Sequence, residues 1–341
     1  MNQINLENSI IGAGSRPYVV AELGTNYGSD MTLAKTFVDE AATAGADAVK
    51  FQTHIASAEM VKSEMYAMGF GDLFDRIDRY ELTVEQHADL RDYCTERGVT
   101  FLSTPFSAEA VDRLETVGVP AYKIGSGELT NYHLLKTAAD TGKPLLISTG
   151  MADWETIARS VEFVSRHAEA FALLYCVSSY PLEASGFSFG IIDRMKREFD
   201  VPVGFSDHSQ GIKAAVTALG QGADFVEKHF TLDRRLPEGD QEVSIEPEEL
   251  ASLVEYADLL YETGGEEKSV RDDERTTSEW ATHSVVAATR IEVGELLTVD
   301  NLTTKRPGTG VSASRYFEIL GKRATETIQP DTFVHADQFD E

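Results

Sequence analysis

Two histidines in the second half of the chain follow short apolar runs, and each stands two positions after another polar residue. The pairs are Ser206 with His208, and Glu227 with His229. Residues two apart on a strand share a face, so each pair can point into one space if these runs are strands. Imidazoles on neighbouring strands, about 4.8 Å apart, can hold one Mn²⁺, Zn²⁺ or Fe²⁺ ion with water or a carboxylate. The spacing therefore indicates a metal site, and a pair of hydrogen-bonded core histidines is the alternative.

Lys50 and Lys123 end two earlier apolar runs and are candidate anion ligands. The chain has 57 acidic and 30 basic residues and a formal net charge of -27, so an anionic substrate needs a local positive pocket. Two ammonium groups ringed by hydroxyls can bind a phosphate and a carboxylate. A Schiff-base lysine and a pair of structural salt bridges are the competing interpretations, and the spacing does not decide between them.

Polar residues also stand at the ends of the other apolar runs. In chain order, the run ends carry Glu22, then Lys50 and Gln52, Ser103 and Thr104, Lys123 and Ser126, Ser148, Ser178 and Tyr180, Ser206 to His208, and Glu227 to His229. If the runs are parallel strands of a barrel, these ends meet at its active-site face. One or two such residues would be weak evidence, but eight strand ends in register favour a site.

The apolar runs and the amphipathic segments between them predict eight strand–helix units. Predicted strands cover 18–22, 48–51, 100–102, 121–124, 144–148, 172–175, 203–205 and 225–227. Predicted helices cover 32–44, 84–97, 108–117, 132–141, 154–167, 190–199, 212–220 and 248–263, with apolar residues at three-and-four spacing. Eight such units in sequence predict a closed parallel (β/α)8 TIM barrel. An open doubly wound sheet is the alternative, because periodicity alone does not show closure.

We assign residues 1–263 to the barrel domain. The composition and the local pattern of the sequence change after residue 263. Residues 264–281 are polar and charged and are predicted to form a linker. Residues 282–341 carry short β-type runs, with turn signals at Gly294 and at Pro307-Gly308. They are predicted to form a small, mostly β domain.

Composition narrows the function classes. The 341 residues are 42% hydrophobic and 26% charged, as in an ordinary globular protein. The acidity argues against nucleic acid and anionic membranes as partners, and no apolar run is long enough for a membrane span. Residues 1–11 lack the pattern of a secretory signal, and two cysteines, Cys94 and Cys176, give no disulfide framework. We therefore expect a cytoplasmic protein in which neither cysteine is a nucleophile. The evenly spread acids are typical of a halophilic protein.

A series of motifs in chain order resembles the sialic acid synthase (N-acetylneuraminate synthase) family. They read AELGTNYG at 21–28, DAVKFQT at 47–53, FLSTPFS at 101–107, YKIGSGELTN at 122–131, YP at 180–181, FSDH at 205–208 and EKHFTLDR at 227–234. The last sixty residues resemble the antifreeze-like (SAF, β-clip) domain of that family, at SVVA (284–287) and KRPG (305–308). The resemblance covers nearly the whole chain.

The resemblance implies a TIM barrel followed by an antifreeze-like domain, and a transferase activity. Phosphoenolpyruvate would condense with the open-chain aldehyde of an N-acetylmannosamine-type amino sugar, and water would then attack C2 so that phosphate leaves. His208 and His229 would hold a divalent metal, Mn²⁺ before Mg²⁺ or Co²⁺. The family also implies a domain-swapped homodimer in which each antifreeze-like domain caps the partner's barrel.

Substrate contacts follow from motif position in the same way. The catalytic set implied is Glu22, Lys50, Lys123, Glu128 and Glu227. Phosphoenolpyruvate would meet Lys50, Thr104, Lys123, Ser126, Ser148 and Ser206. The sugar would face Glu22, Gln52, Tyr180 and Asp240, with Glu128 and Glu227 as further polar support and with Ser178 and His283 also binding substrate.

Four positions depart from the family pattern. Tyr27 stands where the family usually has His, Ser29 where it has Gly, and Ser178 where some members have Asn. His283 stands where the family has an Arg that reaches the partner's sugar site, and an imidazole lacks the guanidinium fork. Synthases of legionaminic or pseudaminic acid, which act on modified hexosamines, are therefore the near alternative. Other aldol-type enzymes that use phosphoenolpyruvate and a non-catalytic sugar-binding paralogue are more distant ones.

Overall fold

A computed structural model describes residues 3–7, 9–237, 239–265 and 267–340 of the chain. The chain folds into two compact units, Met1–Gly264 and Gly265–Glu341. Within the described residues, no helix is both long and apolar enough to cross a membrane.

The first unit is built around a closed barrel of eight parallel strands, in the order β10-β3-β4-β5-β6-β7-β8-β9. The strands of this unit are β1 (Gln3–Leu6), β2 (Ser9–Gly12), β3 (Tyr18–Glu22), β4 (Ala48–Thr53), β5 (Thr100–Pro105), β6 (Tyr122–Ile124), β7 (Leu145–Ser148), β8 (Phe171–Cys176), β9 (Val203–Asp207) and β10 (Phe225–His229). The prediction of a closed (β/α)8 barrel is confirmed, and the open sheet is excluded.

Helices surround the barrel and bury its outer face. They are α1 (Met31–Thr43), α2 (Ala56–Glu59), α3 (Lys62–Ala67), α4 (Gly71–Tyr80), α5 (Val84–Arg97), α6 (Ala108–Val117), α7 (Tyr132–Ala139), α8 (Trp154–Ser165), α9 (Gly190–Phe199), α10 (Lys213–Gly220) and α11 (Pro247–Thr263). Side-chain caps begin several of them; in α5, for example, Thr83 and Gln86 form a capping box. The outer core is continuous because outward strand residues such as Val19 and Phe205 pack in one cluster with helix residues such as Phe37.

The inside of the barrel changes character along its axis. At the amino-terminal end of the strands the inward positions are apolar and form a second buried cluster, which includes Tyr18, Val20, Ala48, Leu102, Leu146, Leu174 and Phe225. A β-carbon on inward-facing Gly204 would lie 2.7 Å from the Phe225 ring, so only glycine fits opposite that ring. Two residues further along, the inward positions become polar on every strand except β8, where Cys176 occupies that position. The strand alternation therefore fixes which side chains face the site.

An amino-terminal hairpin, which the sequence analysis did not predict, covers the apolar end of the barrel. Strands β1 and β2 pair antiparallel, and their residues Ile4, Leu6 and Ile11 join the inner apolar cluster. The short helices α2 to α4, between β4 and α5, were also not predicted.

The second unit is small and mostly irregular β structure. Strands β11 (Ser284–Ala287) and β12 (Leu302–Lys305) pair antiparallel. A separate apolar core includes Val285, Ile291, Leu297, Ile319 and Val334. Helix α12 (Arg275–Ala281) lies within the segment that we predicted as a linker, and helix α13 (Tyr316–Ile319) follows β12.

Candidate active site

A cavity of about 370 Å³ opens at the carboxyl ends of the barrel strands. Fourteen of the predicted site residues line it, namely Glu22, Lys50, Gln52, Thr104, Lys123, Ser126, Ser148, Ser178, Tyr180, Ser206, His208, Glu227, His229 and Asp240. Phe106, Gly125, Gly127, Met151 and Cys176 also line it. Cys176 could have been predicted, because it precedes Ser178 by two positions on an inward-facing run. The two remaining predicted residues, Glu128 and His283, are not among the lining residues.

Lys50 lies at the centre of a buried charge network. Its Nζ is 2.6 Å from Glu22 Oε2 and 3.7 Å from Glu227 Oε2, and it donates a hydrogen bond to Thr104 Oγ1 at 3.0 Å. Burial works against the charge on Lys50, but the carboxylates of Glu22 and Glu227 outweigh it and raise its pKa. The ammonium group therefore stays charged in a site that water hardly reaches.

Lys123 contacts the other oxygen of the Glu227 carboxylate. Its Nζ donates to Ser148 Oγ at 2.6 Å and is 3.7 Å from Glu227 Oε1, which also accepts from Ser206 Oγ at 3.1 Å. Burial lowers the pKa of Lys123, while Glu227 opposes that shift. Burial would raise the pKa of Glu227, but the charges of Lys123 and Lys50 outweigh it and lower that pKa. Glu227 is therefore the shared counter-ion of both lysines.

Glu22 behaves differently from Glu227. Burial raises the pKa of Glu22 to about 7, against the charge of Lys50, and the nearby Glu227 carboxylate adds to the rise. Two carboxylates beside one lysine cannot both ionise freely. Glu22 can therefore hold or release a proton near neutral pH, as a general acid or base must.

His229 is the last residue of β10, and His208 directly follows the neighbouring strand β9; their ring centroids are 5.6 Å apart. His208 Nδ1 donates to the Val177 carbonyl at 2.9 Å, so Nε2, which faces the Tyr180 hydroxyl at 2.9 Å, is the nitrogen with a lone pair that a metal could use. Burial opposes protonation of His208, but Cys176 and the Val177 carbonyl outweigh it and raise its pKa. A cation would therefore compete with a proton for that ring.

His229 has an unpartnered ring nitrogen, which is a second feature that fits a metal site. Its Nδ1 is buried without a hydrogen-bond partner and lies 3.8 Å from the Asp240 carboxylate. Burial, reinforced by His208, lowers its pKa well below the usual value, and a neutral imidazole is the form that binds metal. The described part of the chain contains no cluster of three or more His, Cys, Asp or Glu residues that could enclose an ion. The observations that fit a metal are therefore the unpartnered Nδ1 of His229 and the neighbouring His208 ring.

Backbone contacts hold two parts of the rim in place. Asn26 Oδ1 accepts from the Asp240 amide at 2.7 Å, and its Nδ2 donates to the Phe230 carbonyl at 2.8 Å. A β-carbon on Gly150 would lie 2.4 Å from Ser178 Oγ and 2.6 Å from Ser126 Oγ. Sequence reasoning missed both roles, although Asn26 lies inside the quoted 21–28 motif.

Comparison with known proteins gives the chain a family. The NeuB family model matches residues 37–269, and the SAF domain model matches residues 282–340. An uncharacterized protein of Methanocaldococcus jannaschii is 37% identical over 340 residues, which cover 99% of this chain and 98% of that protein. The chain belongs to the NeuB family.

Relatives with assigned activities make nonulosonic acids. The N,N'-diacetyllegionaminic acid synthase of Campylobacter jejuni is 34% identical over 327 residues, covering 93% of this chain and 98% of that enzyme. The crystal structure of an N-acetylneuraminic acid (sialic acid) synthetase from Leptospira borgpetersenii, in complex with citrate, superposes with a TM-score of 0.75. It is 32% identical and covers 81% of this chain and 95% of that structure. The resemblance predicted from the motifs is confirmed, as is the barrel followed by a SAF domain.

The two predicted residues outside the cavity lining have other surroundings in this NeuB-family chain. Glu128 follows β6 in a short 3-10 turn, where its carboxylate accepts from Asn131 Nδ2 at 2.6 Å. Burial raises its pKa, and the nearby Glu59 carboxylate contributes. His283 lies in the second unit, exposed and directly before β11. The assignment of these two side chains to substrate stays a prediction.

Proposed function

We propose that this NeuB-family chain is a metal-dependent synthase that condenses phosphoenolpyruvate with an N-acetylmannosamine-type amino sugar. The observation that carries the proposal is the pair of buried lysines. Each is within hydrogen-bonding distance of a hydroxyl, and both lie in the same cavity as two adjacent histidines. Chance salt bridges at a barrel mouth would not need Thr104 and Ser148 as additional ligands.

Lys50 and Lys123 would bind the carboxylate and the phosphate of phosphoenolpyruvate. In the free protein both ammonium groups face carboxylates, so an incoming anion has to take over these contacts. Protonation of Glu22, whose pKa is about 7, would release Lys50 for the substrate. A Schiff base at Lys50 is less favoured, because the Glu22 and Glu227 carboxylates raise its pKa and hold the ammonium form.

The reaction forms a bond between C3 of phosphoenolpyruvate and the aldehyde carbon of the sugar. Glu22, beside Lys50 and Gln52, can deliver the proton that the aldehyde oxygen takes up. Water then adds to C2, and the bond from C2 to the phosphate oxygen breaks to release phosphate. A divalent cation held by His208 and His229, Mn²⁺ first with Mg²⁺ or Co²⁺ as alternatives, would supply Lewis acidity toward a carbonyl oxygen.

A panel of amino sugars supplied with phosphoenolpyruvate, with phosphate release as the readout, tests the proposal. We expect phosphate release only when both substrates are present. Release without any sugar, or no release with any hexosamine of the panel, would contradict it. A non-catalytic sugar-binding paralogue would give the second result.

The identity of the sugar is the finer part of the proposal. The 34% identical relative named as an N,N'-diacetyllegionaminic acid synthase favours a modified hexosamine as the second candidate. Kinetics of the wild type and of His283→Arg on N-acetylmannosamine and on diacetylated hexosamines separate the two. We expect the Arg variant to shift preference toward N-acetylmannosamine, and identical profiles would show that His283 does not select the sugar.

The proposal includes a homodimer. Light scattering on the full chain measures the oligomeric state, and a monomer at micromolar concentration would contradict this part.

A further inference from the structure

A row of partly buried hydrogen bonds leads from the cavity through Gln52 to His54 and Glu59, two residues for which the proposed mechanism has no role. Gln52 Nε2 donates to Glu22 Oε1 at 3.0 Å, and Gln52 Oε1 lies 3.0 Å from His54 Nε2. On its far side, His54 Nδ1 lies 3.0 and 3.1 Å from the two carboxylate oxygens of Glu59. The row joins a lining carboxylate to one that does not line the cavity.

Local structure holds this row in one geometry. The side chains of His54 and Glu59 are 7% and 8% exposed. The His54 ring stacks on Phe106 with centroids 4.3 Å apart and planes 10° apart, and Phe106 itself lines the cavity. Helix α2, one turn long, follows β4 directly and brings Glu59 back over His54.

The positions of the hydrogens on the His54 ring determine how the Gln52 amide is oriented. An ionised carboxylate only accepts hydrogen bonds, so His54 Nδ1 carries the hydrogen that faces Glu59. If the ring is an imidazolium, Nε2 also carries a hydrogen and donates to the Gln52 carbonyl; if the ring is neutral, Nε2 accepts from the Gln52 amide group. In the first case the NH₂ of Gln52 faces Glu22, and in the second its carbonyl does. The imidazole therefore sets which end of the amide is presented to the site.

We propose that His54 and Glu59 are positioning residues that fix the orientation of the Gln52 amide and, through it, the hydrogen bonding of Glu22. The inference rests on the proposed function for one point, that Gln52 faces the sugar and not phosphoenolpyruvate. His54 and Glu59 then act on sugar binding without touching either substrate.

A spectroscopic experiment tests the contact itself and does not depend on activity. The full chain is labelled with ¹⁵N at histidine, and the His54 ring signals are assigned by their loss in His54→Phe. We expect Gln52→Leu and Glu59→Gln each to move the His54 nitrogen shifts and to leave the His167 signals in place. His167 is a matched reference, because its ring also stacks on a phenylalanine, Phe163, at 4.4 Å. Unchanged His54 shifts in both variants would overturn the proposal.

Kinetics test the consequence. Loss of a hydrogen bond to a charged group typically changes affinity about 10- to 150-fold, so His54→Phe and Glu59→Gln should raise KM for the sugar about ten-fold or more. KM for phosphoenolpyruvate should rise less, because the variants reach Lys50 only indirectly, through Gln52 and Glu22. If His54 acts through Gln52, a Gln52→Ala, His54→Phe double variant should bind sugar no worse than Gln52→Ala alone. His167→Phe should match the wild type.

The outcomes separate the two proposals. If the wild type releases no phosphate with any sugar, the proposed function fails, and the labelled-histidine spectra still decide whether the row of hydrogen bonds exists. If the wild type is active but the single-variant effects add, or if KM for phosphoenolpyruvate rises equally, His54 is not a positioning residue for Gln52. Glu59→Gln keeps the test open if His54→Phe does not fold.

Discussion

The two ends of the barrel interior use the same strand geometry for different purposes. On β5, Leu102 and Thr104 are two residues apart, point inward and are both buried, with 0% and 3% exposure. Leu102 belongs to the apolar cluster under the hairpin, whereas Thr104 accepts a hydrogen bond from Lys50 in the cavity. One strand thus provides core at one end and a substrate ligand at the other.

The same division holds around the barrel. On β3, β4 and β7 the inward pairs are Val20 with Glu22, Ala48 with Lys50, and Leu146 with Ser148. Apolar burial at the lower end stabilises the closed barrel. At the upper end, Glu22, Lys50, Lys123 and Glu227 form a buried charge network. Burying such charges costs free energy by itself, and the stability of the lower end offsets that cost. We expect substitutions at the two ends to separate stability from catalysis.

The largest expected effect is on the two histidines of the upper end. His208→Ala with His229→Ala should lower kcat/KM by at least about 1,000-fold, because several kcal/mol of charge stabilisation would be lost. Chelation of the wild type should abolish turnover, and Mn²⁺ should restore it. Binding of Mn²⁺ by calorimetry gives a second readout, and His133→Ala, on an exposed histidine of α7, is the control. Full activity of the double variant would remove the metal from the proposal.

The lysines should give the next largest effect. Lys50→Ala and Lys123→Ala should each weaken the use of phosphoenolpyruvate about 10- to 150-fold, the usual effect of losing a charge-assisted contact. Use of the sugar should change less. Lys136→Ala, on a lysine paired with Asp140 at the surface, controls for the loss of a positive charge. Equal losses for both substrates would argue against an anion pocket.

The matched pair on β5 tests the comparison itself. Leu102→Ala should lower the free energy of unfolding by about 2–5 kcal/mol, as large-to-small changes in a buried core do. The folded fraction should keep the wild-type KM. Thr104→Val keeps the shape of the side chain and removes the hydroxyl, so it should raise KM for phosphoenolpyruvate with a smaller change in stability. Denaturant unfolding and kinetics on both variants check this, and the reverse pattern would show that the two ends are not separate.

Sequence patterns predicted the regular parts of the molecule well, because each strand–helix unit contains an amphipathic helix of at least eight residues. The amino-terminal hairpin was not predicted, because its strands have only four residues each, too few to show the alternation of a strand. Helix α3 buries none of its residues, so no apolar stripe marks it. The hairpin depends on tertiary contacts with the inner apolar cluster, and α3 has no apolar pattern that predicts it.

The site shows the same limit. Strand alternation placed Lys50 and Gln52 on one face, and the cavity lining agrees. His54 lies one residue beyond the end of β4, where alternation no longer tells which way a side chain points. Its partner Glu59 is five residues further on in a helix that was not predicted, so only coordinates could join the two.

The smallest expected effect concerns the acidic exterior, which both ends of the barrel share. With a net charge of -27, the folded chain repels itself more strongly than the extended unfolded chain. Salt shortens the Debye length to about 3 Å at 1 M, so Tm should rise by several degrees between low and molar KCl. Exposed ion pairs such as Arg166 with Glu162 oppose this rise in Tm, because salt weakens them too, but such pairs contribute only about 0.3–0.5 kcal/mol each.

The control is the same KCl titration near pH 4.5, where many carboxylates are protonated and the rise in Tm should be smaller. A Tm that stays flat or falls with KCl at neutral pH would contradict a halophilic protein. Sensitivity of the Leu102→Ala variant to salt should equal that of the wild type, because screening acts on the surface and not on the inner cluster.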